Sequence, residues 1–192
     1  MRPEQVKARE YLHQKGTLLA SRVVHDRVAA AFRATEEFLE DVSAAEARRR
    51  PAPGEWSVQE IVDHLVLTHR PSIEELRSLL RGERPTGGPI PASLVSKTPL
   101  DRPWAELVGE LKWLHSEILA ILAKVPDGFT SEVRAPAVLV INAKNPDGSE
   151  SPLHWVEELD WKAYAVIFRL HEVDHLNQAK RALGTVRLKE GG

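Results

Sequence analysis

Cysteine is absent from the 192-residue sequence. Its absence excludes disulfides, a thiolate nucleophile, cysteine-ligated zinc and iron–sulfur clusters. Any metal ion must therefore be bound through nitrogen and oxygen atoms.

An excess of one charge and a long hydrophobic run are lacking too. The chain has 26 basic and 28 acidic side chains, a formal net charge of −2, so no overall field attracts it to nucleic acid or anionic lipid. No stretch is long and apolar enough to be a transmembrane helix, and the charged N-terminus does not resemble a secretion signal. We therefore expect a single domain over residues 1–192, located in the cytoplasm, with neither nucleic-acid nor membrane partners.

Apolar residues at helical spacing predict four long helices. The first ends before Pro51, and the second starts with a capping box in which Ser57 and Glu60 each bond the other's backbone N–H. The first and third helices carry regular apolar stripes, formed by Val24, Val28, Ala31, Thr35, Phe38 and Val42, and by Leu107, Leu111, Leu114, Ile118 and Ile121.

The segment before the last helix has a different pattern. The β-branched run at 138–141 and the turn signal at 145–148 indicate a short hairpin or extended loop beside the bundle. The last helix is predicted from about Pro152 to Leu183, because this stretch has no further internal proline or glycine. The predicted fold class is all-α, with this small excursion before the last helix.

Histidines on apolar helix faces are the main functional signal. His171 and His175 are four residues apart, which places their Cβ atoms about 5–6 Å apart on one face of the last helix. His64 shares an apolar face of the second helix with Ile61 and Leu65. Three imidazoles of this kind can bind one divalent metal ion and leave coordination positions open.

Other interpretations of these histidines remain open. Each could be a hydrogen-bonded core residue, or the three could form a metal-free polar cluster held by water. The other histidines have no paired spacing and are interpreted as ordinary residues: His13, His25, His69, His115 and His154.

Further residues on the last helix are candidates for the same site. Asp174 could orient an imidazole, act as a general base or pair with a basic residue. Gln178 could hydrogen-bond bound water or substrate, or be a buried structural amide. Tyr164 and Phe168 could line a ligand pocket or belong to the core. Glu60 could support His64, but the capping box explains it without chemistry.

Two stretches resemble the DinB/YfiT-like superfamily of metal-binding four-helix bundles. The segment from Trp56 to Leu65, with Ser57, Glu60 and His64, is similar to the second-helix signature of that family. The segment from His171 to Gln178 is similar to its last-helix pattern of two histidines followed by glutamine.

The resemblance implies an up-down-down-up bundle over about residues 18–184, with Zn, Ni or Fe bound by His64, His171, His175 and water. It also implies a homodimer. Known members include thiol S-transferases that use bacillithiol or mycothiol, a mycothiol-dependent isomerase, and proteins regarded as hydrolases.

The leading hypothesis is therefore a metal-dependent enzyme acting on a small molecule. In thiol transfer, the sulfur must come from an external low-molecular-weight thiol, since the chain has no cysteine. Hydrolysis, with Asp174 as base, is the close competitor. The alternative from another class is a non-catalytic, stress-related bundle that binds a metal or another ligand.

Overall fold

The computed structural model describes residues 2–144 and 148–190. Their helices are α1 (Pro3–Leu12), a π-helical turn (His13–Thr17), α2 (Ser21–Glu40), α3 (Ala44–Arg48), α4 (Val58–Leu80), α5 (Trp104–Ala123) and α6 (Trp161–Glu190). Two strands, β1 (Ala135–Lys144) and β2 (Glu150–Leu159), lie between α5 and α6. None of the described helices is long and apolar enough to cross a membrane.

Helices α4 and α5 run parallel to each other. Arg70 on α4 pairs with Glu110 on α5, and Arg77, two turns later, pairs with Glu117. Two neighbouring helices that run parallel must be joined by a long crossover segment. Here the Pro- and Gly-rich segment between Arg81 and α5 forms this crossover.

Helix α6 runs antiparallel to α4 and α2 runs antiparallel to α5. Tyr164 near the start of α6 bonds Glu75 late in α4, whereas His171 further along α6 lies beside His64 early in α4. On the other side of the bundle, α5 contacts α2 through two ion pairs, His115–Glu36 and Lys112–Glu40. The residue number falls along α5 as it rises along α2, so these two helices are antiparallel. The helices α2, α4, α5 and α6 thus form the predicted up-down-down-up bundle.

The apolar stripes predicted from sequence form the bundle core. In α2 the fully buried stripe residues are Val24, Val28, Ala31 and Thr35, and in α5 they are Leu107, Leu111, Leu114 and Ile118. The end of the α2 stripe shifts slightly: Phe38 is half-buried, and Leu39 is buried in its place.

The hairpin before the last helix is present, but it is longer than predicted. Strands β1 and β2 pair antiparallel with Val138 opposite Val156. The predicted turn falls on Asn145, Pro146 and Asp147, which lie outside the described residues, and on Gly148, whose φ is 82°.

The predicted start of the last helix near Pro152 is wrong, because β2 takes residues 150–159. Exposure alternates along this strand, with Trp155 half-buried and Val156 exposed, which is the period of a strand. Asp160 then caps α6: its Oδ1 accepts from the backbone N–H groups of Lys162 and Ala163 at 2.9 and 3.0 Å.

The predicted end of the first helix before Pro51 is wrong, because α2 ends at Glu40 and Ala44–Arg48 form the separate helix α3. Helix α1 and its π-helical turn are absent from the sequence prediction. The π-helical turn packs directly on α6 at Gly16, where a Cβ would lie 2.8 Å from the Ala163 Cα. Only glycine permits this close approach. Helix α3 begins with a capping box of Ser43 and Glu46, of the same kind as the one recognised at Ser57.

Candidate metal centre

The N-terminus of α4 is fixed by the predicted capping box. Ser57 Oγ accepts from the Glu60 N–H at 3.2 Å, and Glu60 accepts from the Ser57 N–H at 2.8 Å. The Glu60 carboxylate also accepts two hydrogen bonds from Arg50, so these structural contacts account for both of its oxygens. One turn of α4 after Glu60, His64 is buried and faces α6, where its Nε2 lies beside that of His171.

His64, His171 and His175 come together between α4 and α6. One donor nitrogen from each lies within 4.8 Å of the others, and the two Nε2 atoms of His64 and His171 are 2.9 Å apart. Their ring centroids are separated by 4.5 to 5.0 Å. The Trp56 ring lies beside them, 5.2 Å from His64 and 6.3 Å from His175.

Hydrogen bonds orient two of these imidazoles. His64 Nδ1 lies 2.7 Å from the Leu94 carbonyl, which can only accept, so Nδ1 carries the proton and Nε2 presents its lone pair. His175 Nδ1 donates in the same way to Gln178 Oε1 at 2.9 Å. Such outer hydrogen bonds are typical of metal-binding histidines.

All three imidazoles are held in the neutral form. Burial, and then the neighbouring His175, lower the pKa of His64 to about 4. Burial also lowers the pKa of His171 well below its usual value, with His175 and His64 adding to the effect. The pKa of His175 is lowered by burial, although Gln178 and Asp174 oppose it. Neutral nitrogen donors of this type fit Zn, Ni or Fe.

The triad opens into a cavity of about 740 Å³. Its walls are α4, α6, the loop at 90–93 and the hairpin, and they include Ile167 and Phe168 together with residues 136–142. The hairpin is held in position by Arg84, which forms an ion pair with Glu158 on β2 at 2.6 Å. A cavity of this size is within the usual range for small-molecule sites.

A second cavity of about 810 Å³ reaches the triad at His175 from the other side. Gln178 and Arg181 line it, along with Trp56 and the exposed His154 of β2. His154 and His175 line both cavities, so the triad is accessible from two directions.

The structure also contains a second histidine cluster that the sequence interpretation missed. His69 and His115 were interpreted as ordinary, but with Glu172 they form a completely buried group whose donor atoms lie within 4.8 Å of one another. His115 Nε2 is 2.7 Å from Glu172 Oε1, and its Nδ1 is 2.7 Å from Glu36 Oε1. We call these four residues the ion-pair cluster.

Hydrogen bonds within the ion-pair cluster favour the charged forms of His115 and Glu172. Burial alone disfavours charged His115, but its hydrogen bonds to Glu172 and Glu36 outweigh burial and raise the pKa of His115. Burial likewise opposes ionisation of Glu172, but His115 and His69 hold its pKa well below the usual range. The Phe32 ring stacks on His115 at 3.9 Å and closes the cluster.

The apolar stripes of α5 and α6 contain a sequence signal for this cluster, because polar residues interrupt them. Glu172 lies between Phe168 and Leu176 on the buried stripe of α6, and His115 adjoins Leu114 on that of α5. A carboxylate at a buried stripe position requires a cationic partner. Its partners lie on other helices, so sequence spacing alone does not identify them.

The remaining predicted site residues lie around the triad in different settings. Asp174 is exposed and lines the first cavity beside His171 and His175. Gln178 bonds His175 and lines the second cavity. Tyr164 lines the first cavity two turns from His171, where its O–H donates to Glu75 Oε2 at 2.5 Å.

Comparisons with known proteins agree with this architecture. The solved structure of YfiT from Bacillus subtilis, described as a probable metal-dependent hydrolase with an unusual four-helix bundle topology, has a TM-score of 0.61 and 16% identity. The match covers 89% of this chain and 87% of that one, and at this identity it shows the fold alone. Comparison with curated proteins gives no match. The model of the DinB superfamily matches residues 27–179, and the chain therefore belongs to the DinB superfamily.

Proposed function

We propose that this protein is an enzyme that binds one divalent metal ion through His64, His171 and His175. The observation that carries the proposal is that three neutral imidazoles converge at the wall of a cavity of about 740 Å³. A purely structural metal site is normally closed by four protein ligands. Here three imidazoles converge, and an open cavity adjoins them.

The chain's own residues prepare this site for chemistry. Leu94 and Gln178 orient His64 and His175, so their Nε2 lone pairs are available without reorganisation. Trp56 packs beside His64 with ring centroids 5.2 Å apart, and the hairpin forms one wall of the cavity next to the imidazoles. When bound, a divalent ion supplies Lewis acidity that lowers the pKa of a water molecule or a thiol.

Transfer of an external low-molecular-weight thiol to an electrophile is the first candidate reaction. The chain has no cysteine, so the sulfur must come from a cosubstrate. Two cavities meet at His175, which is suited to bringing two different molecules together.

Hydrolysis is the second candidate. Asp174 lines the cavity next to two of the histidines, where its carboxylate could accept a proton from water. The description of the structurally similar YfiT as a probable metal-dependent hydrolase supports this candidate.

Metal content is the first test. The untagged protein, purified without chelator, should contain close to stoichiometric metal by plasma mass spectrometry. His64→Ala, His171→Ala and His175→Ala should each lose it, whereas His13→Ala, which changes an exposed histidine, should retain it. If the wild type binds no Zn, Ni or Fe even after reconstitution, the proposal is wrong.

Activity without thiol separates the two reactions. Substrate panels should be assayed with the metal-loaded protein before and after removal of all low-molecular-weight thiols. Turnover that stops without thiol supports transfer, and turnover that continues supports hydrolysis, for which Asp174→Asn should then lower kcat. Stoichiometric metal with no turnover in either panel would favour a non-catalytic ligand-binding role.

A further inference from the structure

The end of the cavity remote from the triad has a distinct chemistry. Tyr164 precedes His171 by seven positions in α6, which corresponds to about 10 Å along the helix axis. At this level the Tyr164 O–H donates to Glu75 Oε2. Between the two ends, Ile167 and Phe168 line an apolar wall.

Glu75 and Tyr164 together offer hydrogen-bond acceptors to the cavity. The Tyr164 proton is directed to Glu75, and the nearby Ser72 hydroxyl donates its own proton to the Thr68 carbonyl at 2.8 Å, so the phenol oxygen can still accept. Glu75 Oε1 makes no hydrogen bond to any other residue in the described part of the chain. A ligand group that satisfies both oxygens must therefore donate hydrogen bonds.

The charge of the lining has one sign. Glu75 and Asp174 are its carboxylates, and among the described lining residues there is no lysine or arginine. Glu75 is half-buried, and this burial raises the pKa of its carboxyl group, although the Tyr164 hydrogen bond opposes the shift. A cationic partner offsets that cost, whereas an anionic ligand adds to it.

Aromatic rings complete this end of the cavity. Tyr164 and Phe168 meet edge to face with ring centroids 6.0 Å apart, and both line the cavity. Ring faces attract ammonium groups, most strongly where water is excluded.

We propose that the cavity binds an elongated apolar substrate that carries an amine, with the ammonium group on Glu75 and Tyr164 and the reacting group at the histidine triad. This inference rests on the proposed function because it names the substrate class of the same site. It predicts discrimination by charge between molecules of equal length.

Three probes of equal chain length test it: octylamine, octan-1-ol and octanoate, titrated calorimetrically into the metal-loaded full-length protein at neutral pH. Octylamine should bind at least about tenfold more tightly than the other two, as expected for a charge-assisted hydrogen bond. Octanoate or octan-1-ol binding as tightly as octylamine would overturn the assignment of an ammonium site.

Variants locate the ammonium group. Glu75→Gln should weaken octylamine about tenfold and leave octan-1-ol unchanged. The matched control is Glu74→Gln, which removes the same charge from the adjacent, solvent-exposed residue of α4 and should change neither. Tyr164→Phe keeps the ring and removes the acceptor, so a smaller loss is expected, and it serves as the second variant should Glu75→Gln unfold.

Unchanged octylamine affinity in folded Glu75→Gln would place the amine elsewhere, including on the metal, and would overturn the proposal. Metal content measured on the same samples separates this failure from a failure of the metal site. Full metal with no amine selectivity contradicts only the substrate class, whereas absent metal contradicts the proposed function.

Discussion

The histidine triad lowers the pKa of its imidazoles, whereas the ion-pair cluster raises the pKa of His115. In the described part of the chain, no carboxylate hydrogen-bonds His64, His171 or His175, and burial lowers the pKa of all three. His115 is more deeply buried than His171 and His175, but it lies between Glu172 and Glu36, whose hydrogen bonds raise its pKa. The comparison shows that the partner, more than the burial, decides whether a histidine here is available to a metal ion.

The histidine triad and the ion-pair cluster are adjacent, because consecutive residues of α6 belong to them. His171 belongs to the triad and Glu172 to the ion-pair cluster, and the rings of His69 and His171 are 6.1 Å apart. We therefore expect changes in the ion-pair cluster to alter stability, and changes in the triad to alter metal binding.

The largest expected effect comes from Glu172→Gln. It leaves His115 buried with a single carboxylate partner, and breaking a buried pair in this way costs about 3–5 kcal/mol of unfolding free energy. Urea unfolding measures the loss, and Glu117→Gln, which breaks the half-exposed pair with Arg77, should cost less than about 1 kcal/mol. Metal content should be retained, and its loss in folded Glu172→Gln would show that the two clusters are one site.

The pH dependence of stability should show an intermediate effect. The native pKa of His115 is raised, so its stabilising contribution is fully present below the unfolded value of about 6.5 and is lost as pH rises through the native pKa. The groups that face it are Glu36 on α2, Glu172 on α6 and His69 on α4.

Glu36→Gln removes one of these partners and should lower the unfolding free energy by about 1.5 kcal/mol at neutral pH. The alkaline decline should then begin at lower pH than in the wild type. Urea titrations at a series of pH values measure both, with His13→Gln as control. Superimposable profiles of Glu36→Gln and wild type would contradict the charged state of His115.

The smallest expected effect is that of Ser57→Ala. Helix α4 carries one histidine of each cluster, His64 and His69, and loss of its cap should cost about 1 kcal/mol by thermal unfolding. Metal content should not change, because the packing of α4 keeps His64 in place. A large loss of metal would show that the cap, rather than the packing, positions the triad.

Local sequence signals predicted much of this fold. The cap at Ser57 and the apolar stripes of α2 and α5 were predicted from residue spacing within one helix. The directions of the four bundle helices were predicted from the family resemblance. The start of α6 was misplaced because residues 152–159 lack helix breakers after Pro152, and only Asp160 marks the true boundary.

The triad was recognisable because two of its members share one helix at a spacing of four. The ion-pair cluster was not, because Glu36, His69, His115 and Glu172 lie on four different helices. No periodicity along the chain reveals a contact of that kind. Glu75 was not predicted as a site residue for the same reason, since its hydrogen-bond partner Tyr164 is 89 positions away in the sequence.

The distance in sequence between His64 and His171, 107 positions, also determines when the proposed metal site can form. During synthesis on the ribosome, a chain completed through α5 has produced one of the three imidazoles, and a single imidazole holds an ion weakly. The ion can be captured only after α6 has emerged and packed antiparallel to α4. Metal binding by the triad, as proposed, would therefore stabilise the packed bundle selectively over partly folded chains.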